Sequence, residues 1–249
     1  MDTTAGLLKG SKVTKRFGGL TALSDVDFEV RNGEIVGLIG PNGSGKTTLF
    51  NVISGLYAPE SGAVFFEGKQ ISGLPPYKIA RMGIGRTFQI VRPLMDLDLI
   101  ENVATAVLYG QEPINSPGDA REKAMDILTF TGLADKARKL PGELVLEDRK
   151  RLEVARALAT RPKILLLDEV FAGLNSKEIE GAIDLTFRIS REYGFTIFMI
   201  EHVMKAIMST CSRIITLHNG IKIADGDPET VANNPEVIKA YLGAAYAER

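Results

Sequence analysis

Residues 40–48 read Gly40-Pro41-Asn42-Gly43-Ser44-Gly45-Lys46-Thr47-Thr48. They fit the pattern of a glycine, four residues and Gly-Lys-Thr that surrounds phosphate groups. The apolar run Ile35–Ile39 precedes them and helix-compatible residues 47–53 follow, which is the context the pattern requires. The glycines let backbone N–H groups point at an anion, and the helix N terminus adds its positive end. The stretch predicts binding of a nucleoside triphosphate; the alternative is a glycine-rich turn with a chance lysine.

The candidate nucleotide ligands in this loop are Asn42, Gly43, Ser44, Gly45, Lys46, Thr47 and Thr48. The ammonium of Lys46 can reach the β and γ phosphates of a bound nucleotide. The hydroxyl of Thr47 is a candidate ligand of Mg²⁺. The loop therefore predicts Mg²⁺ together with the nucleotide.

A second nucleotide motif lies at residues 164–169, which read Ile-Leu-Leu-Leu-Asp-Glu. Asp168 and Glu169 end an apolar run that we interpret as a buried strand beside the phosphate loop. Asp168 suits the shell of Mg²⁺, and Glu169 suits a base that orients or deprotonates the attacking water. The alternative is a strand that ends in solvated acids. The upstream loop favours the catalytic interpretation.

Two further polar residues are catalytic candidates because of their position. His202 follows the strand predicted at Thr196–Ile200, on the edge where ligands bind, and is placed to donate to the γ phosphate. Gln89 lies where the predicted core gives way to helices, and its amide is a candidate sensor of Mg²⁺ and water. His218 has no comparable context, and we expect it on the surface.

Composition limits the setting in which this chain works. Its 249 residues, 45% of them hydrophobic, can bury the core of one domain, with or without an insertion. The net charge of −1, from 30 basic and 31 acidic residues, gives no support for a nucleic-acid partner. Cys211 is the single cysteine, so we expect a reduced, cytoplasmic compartment. The N terminus lacks a signal-peptide layout, and no apolar run approaches the ~20 residues of a membrane span.

The spacing of turn residues predicts strands of two kinds. Asn32-Gly33, between residues 28–30 and Ile35–Ile39, indicates a β-hairpin, and residues 63–68 indicate another strand of an antiparallel sheet. Three later runs are short, apolar and without alternation, as in parallel strands buried on both faces. These runs are residues 164–167, Thr196–Ile200 and residues 214–217.

Between about residues 90 and 160 the pattern changes to that of helices, most clearly at residues 120–131 and 152–159. The predicted fold class is α/β: the parallel sheet of a P-loop NTPase (RecA-like), an N-terminal antiparallel β subdomain and an inserted α-helical subdomain. We expect a single nucleotide-binding domain over residues 1–249. Its core covers about 1–89 and 160–249, and its helical subdomain about 90–159.

Taken together, the motifs resemble those of ATP-binding-cassette (ABC) ATPases over essentially the whole chain. Besides the motifs above, the matching segments are residues 152–158 and Ala172-Gly173-Leu174-Asn175. The resemblance implies ATP as the nucleotide and a head-to-tail dimer with two ATP molecules at its interface. It also implies that Phe17, in Lys15-Arg16-Phe17-Gly18-Gly19, stacks on adenine; a core phenylalanine is the alternative.

The resemblance is closer to the ATPase subunits of branched-chain amino-acid importers. Residues 15–23, 85–93 and 234–243 match the opening, the middle and the end of these subunits, and related importers of amides or urea share parts of them. The resemblance implies that such a chain works at the cytoplasmic face of the plasma (inner) membrane, beneath two membrane-spanning permease subunits. An external solute-binding protein delivers the transported molecule to these subunits. Its second cassette is a different ATPase chain or another copy of the same chain.

One segment departs from the family pattern. The ABC signature, close to Leu-Ser-Gly-Gly-Gln, corresponds here to Leu144-Val145-Leu146-Glu147-Asp148, which we call the signature segment. One interpretation is that Asp148 only caps the following helix. The other is that the two acids repel a γ phosphate, because a like-charge pair about 6 Å apart costs roughly 3 kcal/mol at an effective dielectric constant of about 20. Arg149, Lys150 and Arg151 would offset part of this repulsion.

Three classes of function remain open. A transport ATPase fits best. A soluble ABC protein of translation or DNA maintenance would carry tandem cassettes, a long coiled coil or a basic tail, and this sequence has none of them. A nucleotide-binding regulatory cassette with little hydrolysis fits the altered signature segment, although the presence of Glu169 and His202 argues against it.

Overall fold

In a computed structural model, the chain forms two compact units. The first unit is Met1–Pro76 with Thr196–Arg249, and the second is Tyr77–Phe195. The residues that the structure describes are 6–88, 93–112, 114 and 116–247.

The strands in chain order are β1 (Gly6–Phe17), β2 (Leu20–Arg31), β3 (Ile35–Ile39), β4 (Ser61–Phe66), β5 (Lys69–Gln70), β6 (Ile84–Arg86), β7 (Ile164–Asp168), β8 (Thr196–Ile200), β9 (Arg213–His218) and β10 (Ile221–Gly226). The α-helices are α1 (Lys46–Ile53), α2 (Pro76–Met82), α3 (Leu99–Tyr109), α4 (Pro117–Phe130), α5 (Leu146–Ala159), α6 (Ser176–Tyr193), α7 (Met204–Thr210), α8 (Pro228–Ala232) and α9 (Pro235–Ala247). Two short 3-10 turns lie at Ala134–Lys136 and Pro141–Glu143.

The first unit contains an antiparallel sheet with the strand order β2-β1-β4-β5. β1 and β2 form a long hairpin in which Phe17 faces Leu20 at the turn, and Gly18 has a φ of 58° there. β4 overlaps the strand predicted at residues 63–68 but ends at Phe66, and it pairs antiparallel with β1 and β5. The prediction of an antiparallel β subdomain near the N terminus is therefore confirmed.

A second sheet of the first unit places β3 between β9 and β8, both parallel to it, with β10 antiparallel at the far edge of β9. All five residues of β3 and of β8 are buried. The apolar run at Thr196–Ile200 predicted this burial for β8. The ring of Phe198 in β8 contacts Phe50 of α1, with centroids 5.2 Å apart, and Phe28 of β2, at 6.0 Å. These contacts fix the helix that follows the phosphate loop.

The hairpin predicted at Asn32-Gly33 is wrong, because β2 and β3 belong to different sheets. Gly33 does adopt a left-handed turn, with a φ of 76°. Its N–H, however, donates to the hydroxyl of Thr196 over 2.9 Å and so ties the turn to the start of β8. β3 is buried on both faces and takes parallel partners, which a tight hairpin cannot supply. The turn therefore passes the chain from one sheet to the other.

The second unit contains a parallel pair of strands, β6 and β7, and the helices α3 to α6. β7 is buried throughout and begins where residues 164–167 predicted a strand. The helix predicted at 120–131 is α4, and the one predicted at 152–159 is the second half of α5. The helices α3, α4 and α5 all lie within the range predicted for the helical subdomain. The exact subdomain boundaries stay a prediction.

Candidate functional site

In the first unit, the phosphate loop leaves the buried strand β3 and enters α1. A Cβ atom on Gly40 would lie 2.1 Å from the carbonyl oxygen of Leu217, and one on Gly45 would lie 2.5 Å from that of Ala22. Gly40, Gly43 and Gly45 all have positive φ. Any other residue at Gly40 or Gly45 would therefore collide with backbone. No side chain in the described chain caps the N terminus of α1 at Gly45, which suits an anion.

The ammonium of Lys46 is buried inside this loop. Its Nζ donates to the carbonyl oxygens of Gly40 at 2.7 Å and Pro41 at 2.9 Å, and lies 3.5 Å from Oγ of Ser44. A buried cation needs such partners. The loop thus holds a positive charge at the start of α1.

The other predicted ligands of the loop differ in exposure. Asn42, Gly43 and Thr47 are exposed, Ser44 is buried, and Gly45 and Thr48 are half-buried. The hydroxyl-bearing side chain of Thr47 is therefore accessible to a ligand at the start of α1.

The back of the phosphate loop rests on the C-terminal part of the chain. The N–H of Gly220, in the turn between β9 and β10, donates to the carbonyl oxygen of Ser44 over 3.1 Å. Tyr241 of α9 hydrogen-bonds with the backbone of Gly40, but burial outweighs this bond and raises the pKa of its hydroxyl. His218, at the end of β9, was expected on the surface, but the structure shows it half-buried. The conformation of the loop therefore depends on residues about 170 to 200 positions away in the sequence.

Phe17 ends β1 with an exposed ring beside a second aromatic residue. The rings of Phe17 and Tyr57 meet edge to face, with centroids 5.2 Å apart. The ammonium of Lys15 lies 5.3 Å from the centroid of Phe17 and 5.7 Å from that of Tyr57, and is anchored on Glu60 at 2.8 Å. An exposed ring held in this way can stack on a flat base, so the structure offers Phe17 for that role.

His202 is an exposed residue just beyond the end of β8. β8 and β3 are parallel neighbours, with Leu38 opposite Ile200. Parallel neighbours end at the same edge of a sheet, so His202 and the phosphate loop leave the first unit's parallel sheet on one side.

In the second unit, Arg86 holds the carboxylate of Asp168 at the end of β7. Nη2 of Arg86 donates to Oδ2 of Asp168 over 3.0 Å, and both side chains are almost fully buried. The N–H of Asp168 donates to the hydroxyl of Thr87, also over 3.0 Å. Oδ1 of Asp168 is buried, and no group in the part of the chain that the structure describes hydrogen-bonds to it. A buried acceptor of this kind suits a cation.

Burial shapes the protonation of this ion pair. It raises the pKa of Asp168, although the hydrogen bond from Arg86 acts in the opposite direction. It also lowers the pKa of Arg86, against the effect of Asp168. Desolvation is the largest cause of both shifts, as expected for two ions that are buried together.

Glu169 directly follows β7 with a half-buried side chain and a left-handed backbone. Its φ is 52°, a conformation that few residues other than glycine adopt. The ammonium of Lys150, from α5, donates to the carbonyl oxygen of Glu169 over 2.8 Å. Such backbone strain often marks a functional position. Gln89, the other predicted catalytic residue near this strand pair, lies outside the described residues.

The signature segment leads into α5, and both of its acids are paired. The prediction that Asp148 caps the helix is wrong, because the residue before the first turn is Val145 and Asp148 lies within that turn. The ammonium of Lys136 donates to both carboxylate oxygens of Asp148, at 2.9 and 2.8 Å. Glu147 forms an ion pair with Arg151 one turn later. The exposed part of the segment is apolar, with Val145 64% exposed.

Three contacts of these candidate residues were not predicted from the sequence: Arg86 with Asp168, Lys150 with Glu169, and Tyr57 with Phe17. β6, which carries Arg86, has three residues and is too short to show a periodicity. Lys150 stands in a run of charges that is typical of a solvated helix face, and only the packing of α5 shows that it is buried. In each unit, therefore, the candidate site residues are held by contacts with residues that are not adjacent to them in the sequence.

Comparisons with known proteins identify the family of this chain. Residues 23–172 match the family model for ABC transporters, and residues 222–247 match that for branched-chain amino acid ATP-binding cassette transporters. The chain is 41% identical to the high-affinity branched-chain amino acid transport ATP-binding protein BraF of Pseudomonas aeruginosa, over 96% of this chain and 98% of BraF. It is 40% identical to LivG of Escherichia coli, with the same coverage, and 37% identical to a probable LivG of Archaeoglobus fulgidus.

Solved structures of ABC cassettes share the fold. The ADP conformation of MJ1267, an ATP-binding cassette of an ABC transporter, matches with a TM-score of 0.86 and 31% identity, over 96% of this chain and all of that one. A dimeric structure of MJ0796, a bacterial ABC transporter cassette, matches with a TM-score of 0.81 and 28% identity over 89% of this chain and 98% of that one. The chain belongs to the ATPase cassettes of the ABC transporter family, in the group of branched-chain amino-acid transport ATP-binding proteins.

Proposed function

We propose that this chain is the ATP-hydrolysing subunit of an importer for branched-chain or related amino acids. The observation that carries the proposal is the end-to-end similarity to BraF, which extends into the C-terminal segment at residues 222–247. In this chain the same segment supports the phosphate loop through Tyr241. ATP-driven closure of a cassette dimer would drive the permease subunits above it.

The candidate residues have distinct roles in hydrolysis. Lys46 and the loop N–H groups hold the β and γ phosphates, and Phe17 stacks on adenine. Glu169 takes a proton from water as the water oxygen attacks the γ phosphorus. The bond from that phosphorus to the β–γ bridging oxygen breaks, and ADP and phosphate are the products. His202 donates to the γ phosphate, and Gln89 positions the water.

The chain's residues fit Mg²⁺ as the companion of ATP. The buried Oδ1 of Asp168, which accepts no hydrogen bond from the described residues, and the exposed Thr47 offer the oxygen ligands that Mg²⁺ prefers. Gln89 is the third predicted ligand. When bound, Mg²⁺ neutralises charge on the β and γ phosphates.

The assembly that we propose has two cassettes and two permease subunits at the cytoplasmic face of the plasma membrane. No helix among the described residues has both the length and the apolar character needed to cross a bilayer. The altered signature segment supports a second, different ATPase chain as the dimer partner, because one of the two sites then keeps an ordinary signature. An external solute-binding protein would act on the permease and not on this chain.

Uptake measurements test the proposed substrate class. Cells that lack this chain should lose accumulation of radiolabelled leucine, isoleucine and valine at low external concentration and regain it when the chain is restored. Restored uptake of urea or short amides, with no change for the three amino acids, would instead support an importer for amides or urea.

We predict that Leu94 and Met95 contact a short cytoplasmic helix of the permease. Their side chains are 39% and 53% exposed. Asn102 holds the backbone around them, since it accepts from the N–H of Leu94 at 2.8 Å and donates to the carbonyl oxygens of Leu94 and Leu97, both at 2.9 Å. An apolar surface on a fixed loop is typical of a docking site. We predict that residues 90–95 together line a groove for this helix, and residues 90–92 lie outside the described residues.

Cysteines at Leu94 or Met95 should crosslink to the permease in the assembled transporter. Burial raises the pKa of the native Cys211 to about 12, so this thiol will not compete. Met125→Cys, on α4, is a matched control because Met125 is also 39% exposed. Crosslinks that join residues only within this chain would refute the docking prediction.

The paired acids change what we expect of the signature segment. Lys136 and Arg151 offset the charges of Asp148 and Glu147, so most of the predicted repulsion of a γ phosphate is cancelled. Together, Val145→Ser, Glu147→Gly and Asp148→Gln should therefore raise ATP affinity less than about tenfold. They should lower the melting temperature, because the lost ion pairs and a glycine inside the helix cost about 2–4 kcal/mol.

Titration of ATP into the purified hetero-dimer, with Glu169→Gln to prevent turnover, measures this affinity. A gain of about a hundredfold, largest at low salt, would show that the acids act on the nucleotide despite their partners. Glu147→Gln alone is the control, since it removes one charge without placing a glycine in the helix. A low-activity cassette is the second candidate function, and an affinity gain together with faster turnover of the triple variant that keeps Glu169 would favour it.

A further inference from the structure

Lys150, in the second unit, is a buried, charged residue that contacts Glu169, whose backbone is in the left-handed conformation. Its side chain lies on the first half of α5, just after the signature segment, and the residue is only 8% exposed. An ammonium placed this deep loses most of its hydration and needs specific acceptors. Its Nζ donates to the carbonyl oxygen of Glu169 over 2.8 Å.

Glu169 needs support in its observed backbone conformation. A left-handed φ of 52° costs a residue other than glycine of order 1 kcal/mol or more, and it persists only where neighbouring groups hold it. The charged hydrogen bond from Lys150 acts directly on this peptide unit.

We propose that Lys150 is the positioning residue for Glu169 and links the signature helix to the hydrolytic carboxylate. Through the carbonyl oxygen it fixes the direction in which the Glu169 side chain leaves the backbone. A movement of α5 on contact with a partner cassette would thus reach Glu169 within the same chain. The proposal rests on the base role proposed above for Glu169.

Lys150→Met keeps the aliphatic length but removes the donor, and Lys150→Gln keeps a donor without the charge. In transporter purified through a tag on this chain, Lys150→Met should lower kcat roughly tenfold to hundredfold, as expected for a misplaced catalytic group. The KM and Kd for ATP should stay near parent values, because the phosphate loop is unchanged. Lys150→Gln should recover most of kcat. Lys78→Met, an exposed lysine on α2, is the matched control.

A double-mutant cycle separates positioning from a general loss of stability. If Lys150 acts through Glu169, Lys150→Met should cause no further loss of kcat in the Glu169→Gln background. Amide hydrogen exchange of the peptide that contains Glu169 should also speed up in Lys150→Met, with the rest of the second unit unchanged. Additive losses, or parent kcat in folded Lys150→Met, would overturn the proposal. Parent kcat in Glu169→Gln would instead overturn the base role itself, so the two failures are distinct.

Discussion

We expect the Lys46→Ala variant to lose most of its affinity for ATP. Among the described residues of the first unit, Lys46 is the only buried lysine or arginine, and it lies in the phosphate loop. Removing one partner of a desolvated charge contact costs about 2–5 kcal/mol. This cost corresponds to roughly thirtyfold to several-thousandfold in the Kd for ATP. Isothermal titration with ATP and Mg²⁺ measures the loss.

Because Lys46 also donates to Gly40 and Pro41, its removal loosens the loop itself. The melting temperature must therefore be recorded alongside binding. Lys69→Ala is the control, since Lys69 is an exposed lysine on the two-residue strand β5 of the same unit. ATP binding within threefold of the parent by folded Lys46→Ala would remove the basis for assigning the loop as the nucleotide site.

The Glu169→Gln variant should bind ATP as the parent does but hydrolyse it about 10²- to 10⁴-fold more slowly, the usual contribution of a general base. Glutamine preserves the shape of the side chain and the backbone contact with Lys150 and removes the proton acceptor. ATP should therefore accumulate uncleaved in a closed dimer. Single-turnover hydrolysis and size-exclusion chromatography in ATP and Mg²⁺ report the two effects.

Glu180→Gln, an exposed carboxylate on α6, controls for the loss of one charge in the second unit. It should leave both turnover and the elution volume unchanged. Hydrolysis at the parent rate by Glu169→Gln in the complete transporter would transfer the base role to another group, and Asp168 would be the next residue to test.

The sequence alone determined those features that consecutive residues encode. The phosphate loop needs glycines at particular positions, and its lysine and threonines are adjacent to them, so a nine-residue window was enough. The buried parallel strands appeared as short apolar runs, and α4 and α5 as helical periodicity. The match to the ABC family followed because these local motifs occur in a fixed order.

Tertiary structure decided which distant residues meet and which charges are buried. Asn32-Gly33 has the local chemistry of a hairpin turn, yet the partners available to β3 place its flanking strands in different sheets. Asp148 has the chemistry of a helix cap, yet Lys136 binds its carboxylate inside the first turn. Lys150 belongs to a charge run that is typical of a helix surface, yet packing buries it against Glu169. In each case the local preference is worth about 1 kcal/mol and a non-local contact of similar or greater strength overrides it, so the outcome is fixed only when the chain is folded.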